Sequence, residues 1–325
     1  MLCGERYVHS SRVREPAMKP DMPADVARES ISSGRRRVTR RRLLAGVGGL
    51  LGSSVAATAA YAGGVEAQGL IVTRYAPKPP AWRASQKLSI TVIADIHAGG
   101  LNMTVSHIRR VVDTANELKS DLVVLLGDYV ANYPFVNARM PNKIWAPELA
   151  RLSAKLGTWA VLGNHDWWQG APGIRASLNA VGIPVLENDA VLLGPEGVRF
   201  WLAGLGDQRA FRLGHGRYRG VDDLPRTLAQ IRTDDPVLLL AHEPDIFAEL
   251  PASVALTLAG HTHGGQIRLP LIWPAFVPSK YGARYAYGHV IEDSRHMIVS
   301  GGLGTSLIPA RLGVPPEVVQ VLLGA

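Results

Sequence analysis

Cysteine is almost missing from this chain: its 325 residues carry one, Cys3. No internal disulfide can staple the fold, and no thiolate cluster can hold a metal. Any metal site must therefore be built from His, Asp and Asn, a donor set that suits Mn, Fe, Zn or Co without choosing among them. Excess charge is missing from the body as well. Residues 1–62 hold 11 Lys and Arg against 5 Asp and Glu, so +6 of the formal +8 sits there and +2 is left for residues 63–325. A nucleic-acid binder needs a basic surface to displace counterions, and specific nucleic-acid binding is not expected of so balanced a body. Internal repeats, heptads and low-complexity tracts are absent too, which excludes solenoids and coiled coils.

What the chain does carry begins with an address. Thr39-Arg40-Arg41-Arg42-Leu43-Leu44 resembles a twin-arginine export signal, a polar residue and paired arginines ahead of apolar residues. Residues 43–62 follow without a charge, rich in Gly and Ala, and end in the small-x-small site Ala60-Tyr61-Ala62. Residues 1–62 read as a twin-arginine-type signal or an N-terminal membrane anchor, since about twenty uncharged residues can also span a bilayer. Met18 and Met22 offer alternative starts. Pro77, Pro79 and Pro80 make 63–86 an extended linker and entry segment, and 87–325 forms one large domain.

Within that domain, β-rich apolar runs alternate with helical periodicity, the pattern of an α/β protein. Strands are expected at 88–94, 121–126, 158–162, 237–241, 254–259, 297–300 and 318–323. Shorter ones at 185, 191–193 and 198–203 suggest a second sheet. Helices are expected at 104–118, 147–156, 174–180 and 224–231. The loop at 129–143 brings Tyr133, Phe135 and Asn137 near the ends of the strands; 207–223, rich in Gly and Arg, reads as a surface loop, and 273–278 as a rigid apolar one.

Chemistry-bearing residues collect where these runs end. They are Asp95-Ile96-His97, Gly127-Asp128, Gly163-Asn164-His165-Asp166, His242 and Gly260-His261-Thr262-His263. Each piece alone has an ordinary structural use, as a turn, a cap or a core histidine. All five in order describe one composite site, because α/β proteins gather their ligands at strand C-termini. Asp95, His97, Asp128, Asn164, His242, His261 and His263 exceed the needs of one ion, and a carboxylate such as Asp128 can bridge two.

This ordered set, D-x-H, G-D, G-N-H-[DE], a lone H and G-H-x-H, resembles the calcineurin-like metallophosphoesterases over about residues 88–323. The resemblance implies an α/β fold of two mixed β-sheets packed as a sandwich and flanked by helices. It implies two divalent metal ions, one held by Asp95, His97, Asp128 and His263, the other by Asp128, Asn164, His242 and His261. A metal-activated hydroxide would attack phosphorus, and the catalytic pair would be His165, protonating the leaving oxygen, and Asp166, orienting that imidazole or serving as a turn aspartate.

Two branches of the family are disfavoured. Where purple acid phosphatases have a tyrosine ligand this chain has Ala131, and the serine/threonine phosphatase motifs differ at Ala131, Asn132, Leu162 and Asp166. The export signal and the glycine-rich motifs look most like exported or membrane-associated bacterial phosphodiesterases. The expected function is a phosphodiesterase of the cell envelope, periplasmic or on the outer face of the cytoplasmic membrane. Its partners would be the twin-arginine machinery and a phosphate-ester substrate, a nucleotide-linked lipid among the candidates. A phosphomonoesterase or nucleotidase, or a metal-retaining envelope binding protein, is the alternative. Trp167, Trp168, Trp273, Phe276 and Tyr281 offer either an apolar rim or core packing, and Arg212, Arg217 and Arg219 either an anion contact or a solvated loop.

Overall fold

The computed structural model of the chain describes residues 39–99, 102–133, 139–268 and 277–325. Cys3, Met18, Met22, Phe135, Asn137, Trp273 and Phe276 lie outside the described residues. Residues up to 50 form one unit and 51–325 another. Helix α1 (Arg40–Ala60) runs through the uncharged stretch, and among the described residues no helix is long and apolar enough to cross a membrane.

Two large sheets build the second unit. Its elements in order are β1 (Ile71–Tyr75), β2 (Leu88–Ile93), α2 (Val105–Glu117), β3 (Leu122–Leu125), α3 (Asn142–Leu149), β4 (Thr158–Ala160), α4 (Asn164–Ala180), β5 (Asp189–Leu193), β6 (Phe200–Gly204), β7 (Phe211–Gly214), β8 (Arg217–Arg219), α5 (Leu224–Leu228), β9 (Val237–Leu240), β10 (Val254–Ala259), β11 (Gly288–Glu292), β12 (Arg295–Val299) and β13 (Glu317–Leu323). The first sheet has the order β1-β13-β2-β3-β4, the second β11-β12-β10-β9-β6-β5, and β7 pairs β8 alone. Both sheets are mixed. Strands β2, β3 and β4 run parallel, as do β6, β9, β10 and β12, while β13 against β2, β6 against β5 and β12 against β11 are antiparallel.

Alternation along the strands divides the core into layers. Ile90, Val92, Leu122 and Val124 face between the sheets and meet Leu202, Leu238, Leu240 and Leu258. Ile93, Val123 and Leu125 face the other way, against Ile108, Val111 and Val112 of α2, Trp145 of α3 and Ile174 of α4. On the far side of the second sheet, Leu239, Met297 and Val299 meet Ile246 and Phe247 of a 3-10 turn, with α5 beside them. The result is the expected sandwich with helices outside, although one outer layer has only the short helix α5 and a 3-10 turn. Fully burying one such aliphatic side chain contributes about 1.5–3 kcal/mol, so these parallel central strands are the rigid part of the domain.

Several boundaries differ from the sequence reading, each for a local reason. Residues 63–68 are helical turns rather than extended: Glu66 is buried and accepts the Val314 N–H at 3.0 Å, and the Ala62 carbonyl accepts from the Arg311 N–H at 3.0 Å. Helix α3 starts at Asn142, with Pro147 inside it, and ends before 150. Helix α4 starts ten residues earlier than its apolar periodicity suggests, because Gly170 (φ 110°) breaks it into two segments that one pattern cannot span. The 207–223 loop contains the β7–β8 hairpin, whose strands are too exposed to show a hydrophobic pattern. Edge strand β11 has no counterpart in the expected elements.

Candidate metal centre

The tips of β2, β3, β4, β9 and β10 converge at one end of the sandwich, and each gives up regular geometry there. Asp95, His97, Asp128, His261 and His263 all adopt left-handed backbone conformations, with φ between 47° and 70°. Such conformations are uncommon for side-chain-bearing residues and cost of order 1–3 kcal/mol each, so they persist where the surrounding structure holds them. Glycines make the approach possible. A Cβ on Gly163 would meet His242 Cε1 at 2.6 Å, and one on Gly302 (φ 69°) would meet Asp95 Cβ at 2.7 Å.

The seven expected ligands come together and are buried. Ligand atoms of Asp95, His97 and His263 lie within 4.8 Å of one another, and so do those of Asp128, His242 and His261. Between the groups sits Asp128. Its Oδ2 is 3.6 Å from His97 Nε2 and 3.3 Å from His242 Nε2, one imidazole from each group. Asn164 Oδ1 is 3.2 Å from His242 Nε2, and His261 Nδ1 is 3.2 Å from the same nitrogen. His97 and His263 stack with their Nε2 atoms 3.1 Å apart.

Two of the four imidazoles are oriented from behind by backbone carbonyls. His97 Nδ1–H donates to Val130 O (3.2 Å) and His242 Nδ1–H to Leu126 O (2.7 Å), whereas His261 Nε2 faces Arg209 Nη1 at 2.9 Å, a group that can only donate and that also donates to Pro278 O. The two carbonyl bonds fix the tautomers that leave Nε2 of His97 and of His242 turned toward the carboxylates, the arrangement of a metal-ligating histidine. His263 is held differently. Its Nδ1 lies 3.1 Å from Nη2 of the fully buried Arg311, which can only donate; that guanidinium also donates to Gly304 O and Val314 O. The donor set, its burial and its tautomers fit divalent cations.

Charge and burial compete strongly here. Burial pushes the Asp95 carboxyl up to about 7, with the Asp128 charge adding to the rise. Burial drives His97 down to about 3 and holds His261 and His263 well below the usual imidazole range, so these rings are neutral donors. Burial opposes a charge on His242 too, but the adjacent Asp128 outweighs it and raises that ring. Buried Arg311 is lowered to about 10.

His165 and Asp166 open helix α4, next to Asp128. The His165 N–H donates to Asp128 Oδ1 at 2.8 Å, and its ring lies edge-on to His97 at 4.8 Å and against Trp168 at 4.9 Å. Burial lowers its pKa, while the Asp128 charge acts in the opposite direction. The expected contact from Asp166 to this ring is not made. Asp166 instead accepts the backbone N–H groups of Asp128, Tyr129 and Gly163, and His165 Nδ1 has no hydrogen-bond partner among the described residues. A carboxylate at the first turn of a helix reaches amides more readily than its neighbour's side chain, which points another way.

Sequence reasoning also missed Arg209, Arg311, Asp207 and Glu243. Arg209 Nη1 lies 2.9 Å from both His261 Nε2 and Pro278 O. Asp207 and Glu243 are a buried pair beside His242. Gly206-Asp207 follows β6 as Gly127-Asp128 follows β3, a signal that was available; a lone arginine carries none.

A family model described as calcineurin-like phosphoesterase matches residues 88–265. Over 239 residues the chain is 33% identical to the Bacillus subtilis metallophosphoesterase YkuE, an alignment covering 72% of this chain and 78% of that protein. It is 33% identical over 240 residues to the phosphodiesterase YaeI of Escherichia coli, covering 72% and 81%. A Danio rerio transmembrane protein with a metallophosphoesterase domain is 30% identical over 246 residues, 73% of this chain but 53% of that one. With more than half its length matched by the family model and its Asp and His clusters in place, the chain belongs to the calcineurin-like phosphoesterases.

Proposed function

We propose that the protein is a dinuclear metal-dependent phosphodiesterase of the cell envelope. The observation that carries this reading is Asp128, whose Oδ2 faces an imidazole of each Asp/His group while Oδ1 takes the His165 N–H. Asp95, His97, Asp128 and His263 would hold one cation, and Asp128, Asn164, His242 and His261 the other. Bound there, two divalent ions supply Lewis-acid charge and an acidified water. The carbonyls of Val130 and Leu126 and the guanidinium of Arg209 keep the His97, His242 and His261 rings in register, Asp166 fixes the backbone of Asp128, and His165 passes a proton from its ring to the leaving oxygen. Preference for diesters over monoesters is supported by the phosphodiesterase relative, and action outside the cytoplasm by Arg40 and Arg41 ahead of the uncharged segment.

The test is hydrolysis of bis(p-nitrophenyl) phosphate and p-nitrophenyl phosphate by the Mn-loaded chain, beside Asp128→Asn. Expected are about two ions per chain, a higher kcat/KM on the diester, and loss of both metal and turnover in the variant. Preference for the monoester would turn the reading to a phosphomonoesterase or nucleotidase. Full metal binding without turnover on either ester would make the chain a metal-retaining binding protein.

A further inference from the structure

We propose that the β7–β8 hairpin builds a subsite for a second phosphate, so that the substrate is a phosphodiester carrying another phosphate on the leaving-group side. The inference rests on the phosphoesterase reading above and deepens it. Its basis is a layer of two guanidinium groups and two rings against His165. Arg212 lies over Trp168 at 3.5 Å from the ring centre, Tyr218 lies near-parallel to Trp168 at 5.9 Å, and Arg209 lies over Tyr218 at 4.1 Å. Trp168 in turn touches the His165 ring. Because His165 is the proposed proton donor to the leaving oxygen, whatever borders it borders the leaving group.

The layer is built rather than loose. The Arg209 N–H donates to Asp207 Oδ1 at 2.7 Å, the Gln208 N–H to Glu243 Oε2 at 3.0 Å, and Trp168 Nε1–H to the Arg209 carbonyl at 3.1 Å. Phe211 packs edge-on against Trp167 at 5.5 Å. The buried pair Asp207 and Glu243 thus fixes the turn that presents Arg209, and the two tryptophans after His165-Asp166 seat the hairpin.

Charge then selects the ligand. Arg109, Arg175 and Arg284 each meet a carboxylate, at 2.6–2.8 Å, whereas among the described residues neither Arg209 nor Arg212 does. Two cations held without a carboxylate beside a phosphate-processing site suit a second phosphate, which guanidinium groups bind in a planar fork. A substrate ring is disfavoured, since guanidinium groups already cover Trp168 and Tyr218. In the reaction, the water oxygen bonds to phosphorus and the bond to the leaving oxygen breaks. That oxygen keeps the electron pair, takes the His165 proton where it leaves as an alcohol, and departs with the second phosphate.

Isothermal titration of the Mn-loaded full chain with AMP and with ADP tests the subsite. One charge-assisted contact is worth about 1.5–3 kcal/mol, about tenfold to a hundredfold in affinity. Wild type should therefore bind ADP at least about tenfold more tightly than AMP. Arg212→Met should shrink that ratio to about threefold or less, and Arg212→Lys should restore part of it. Equal affinity for AMP and ADP in wild type, or an unchanged ratio in Arg212→Met, overturns the proposal. A wild-type chain that hydrolyses bis(p-nitrophenyl) phosphate but shows no ADP preference rejects the subsite and leaves the phosphodiesterase reading standing. A chain with the preference and no esterase activity rejects that reading instead.

Discussion

The carboxylate of Asp166 accepts the backbone N–H of Asp128 at 2.8 Å, and with it those of Tyr129 at 2.8 Å and Gly163 at 2.9 Å. One side chain thereby ties the end of β3 to the start of α4. Asp128 needs that tie, because its own left-handed φ of 55° is not one the chain would keep unaided.

Asp166→Asn should separate positioning from chemistry. An amide offers one acceptor oxygen where two are used and turns its NH2 toward a backbone N–H, leaving at least one buried donor unpaired. Unfolding free energy should fall by about 2–4 kcal/mol, and bound metal should fall with it. Retention of full stability and metal, with turnover alone lost, would return Asp166 to the role of a partner of His165.

His165→Ala should behave in the opposite way. Among the described residues the ring has no hydrogen-bond partner on Nδ1, and the residue's bond to Asp128 is through its backbone N–H, which alanine keeps. Bound metal, measured by elemental analysis, should stay near wild type. General acid catalysis contributes about 10²–10⁴-fold, so kcat should fall by that order on alkyl diesters and much less on p-nitrophenyl esters. An equal loss of metal would make His165 a ligand.

Metal binding should weaken as pH falls. Burial holds the Asp95 carboxyl near 7 in the folded chain, above the unfolded value of about 3.9. A raised carboxyl pKa favours the protonated folded state at low pH and penalises the metal-free fold as pH rises through 7. A divalent cation needs the Asp95 carboxylate and a neutral His242 ring, so its binding must displace a proton from Asp95 below pH 7 and one from His242, which Asp128 holds raised, whereas neutral His97 has none to give up. The rise in melting temperature on adding Mn should be larger at pH 8 than at pH 5.5, and chelation should erase it. The same rise at both values would show that Asp95 is already ionised and His242 already neutral.

Export can be checked independently of catalysis. Replacing Arg40 and Arg41 with Lys should trap a twin-arginine substrate in the cytoplasm, read by fractionation and blotting. Unchanged export would count against the signal.

Much of this protein was legible because its candidate ligands announce themselves in short motifs. Central strands such as β3, β9 and β10 are short continuous apolar runs, and Asp128, His242 and His261 each follow one, so sheet and site were read together. Strand β11 was not legible, since its residues alternate between half-buried and exposed and its neighbours supply its pairing. Nor was the true start of α4, where Gly170 interrupts the periodicity.

What the sequence by itself determined is the family and the layered α/β plan, and it named the candidate ligands, because each is written in local residue order: motif spacing, strand-length apolar runs and helical periodicity. What only the tertiary structure decided is which atoms meet. That Asp128 faces both histidine groups, that Asp166 serves backbone amides and not His165, that Arg311 lies behind His263 and that Arg209 and Arg212 flank Trp168 and Tyr218 are contacts between segments far apart in the chain. Side-chain direction at a strand end depends on a backbone conformation that packing enforces, and no local pattern encodes it.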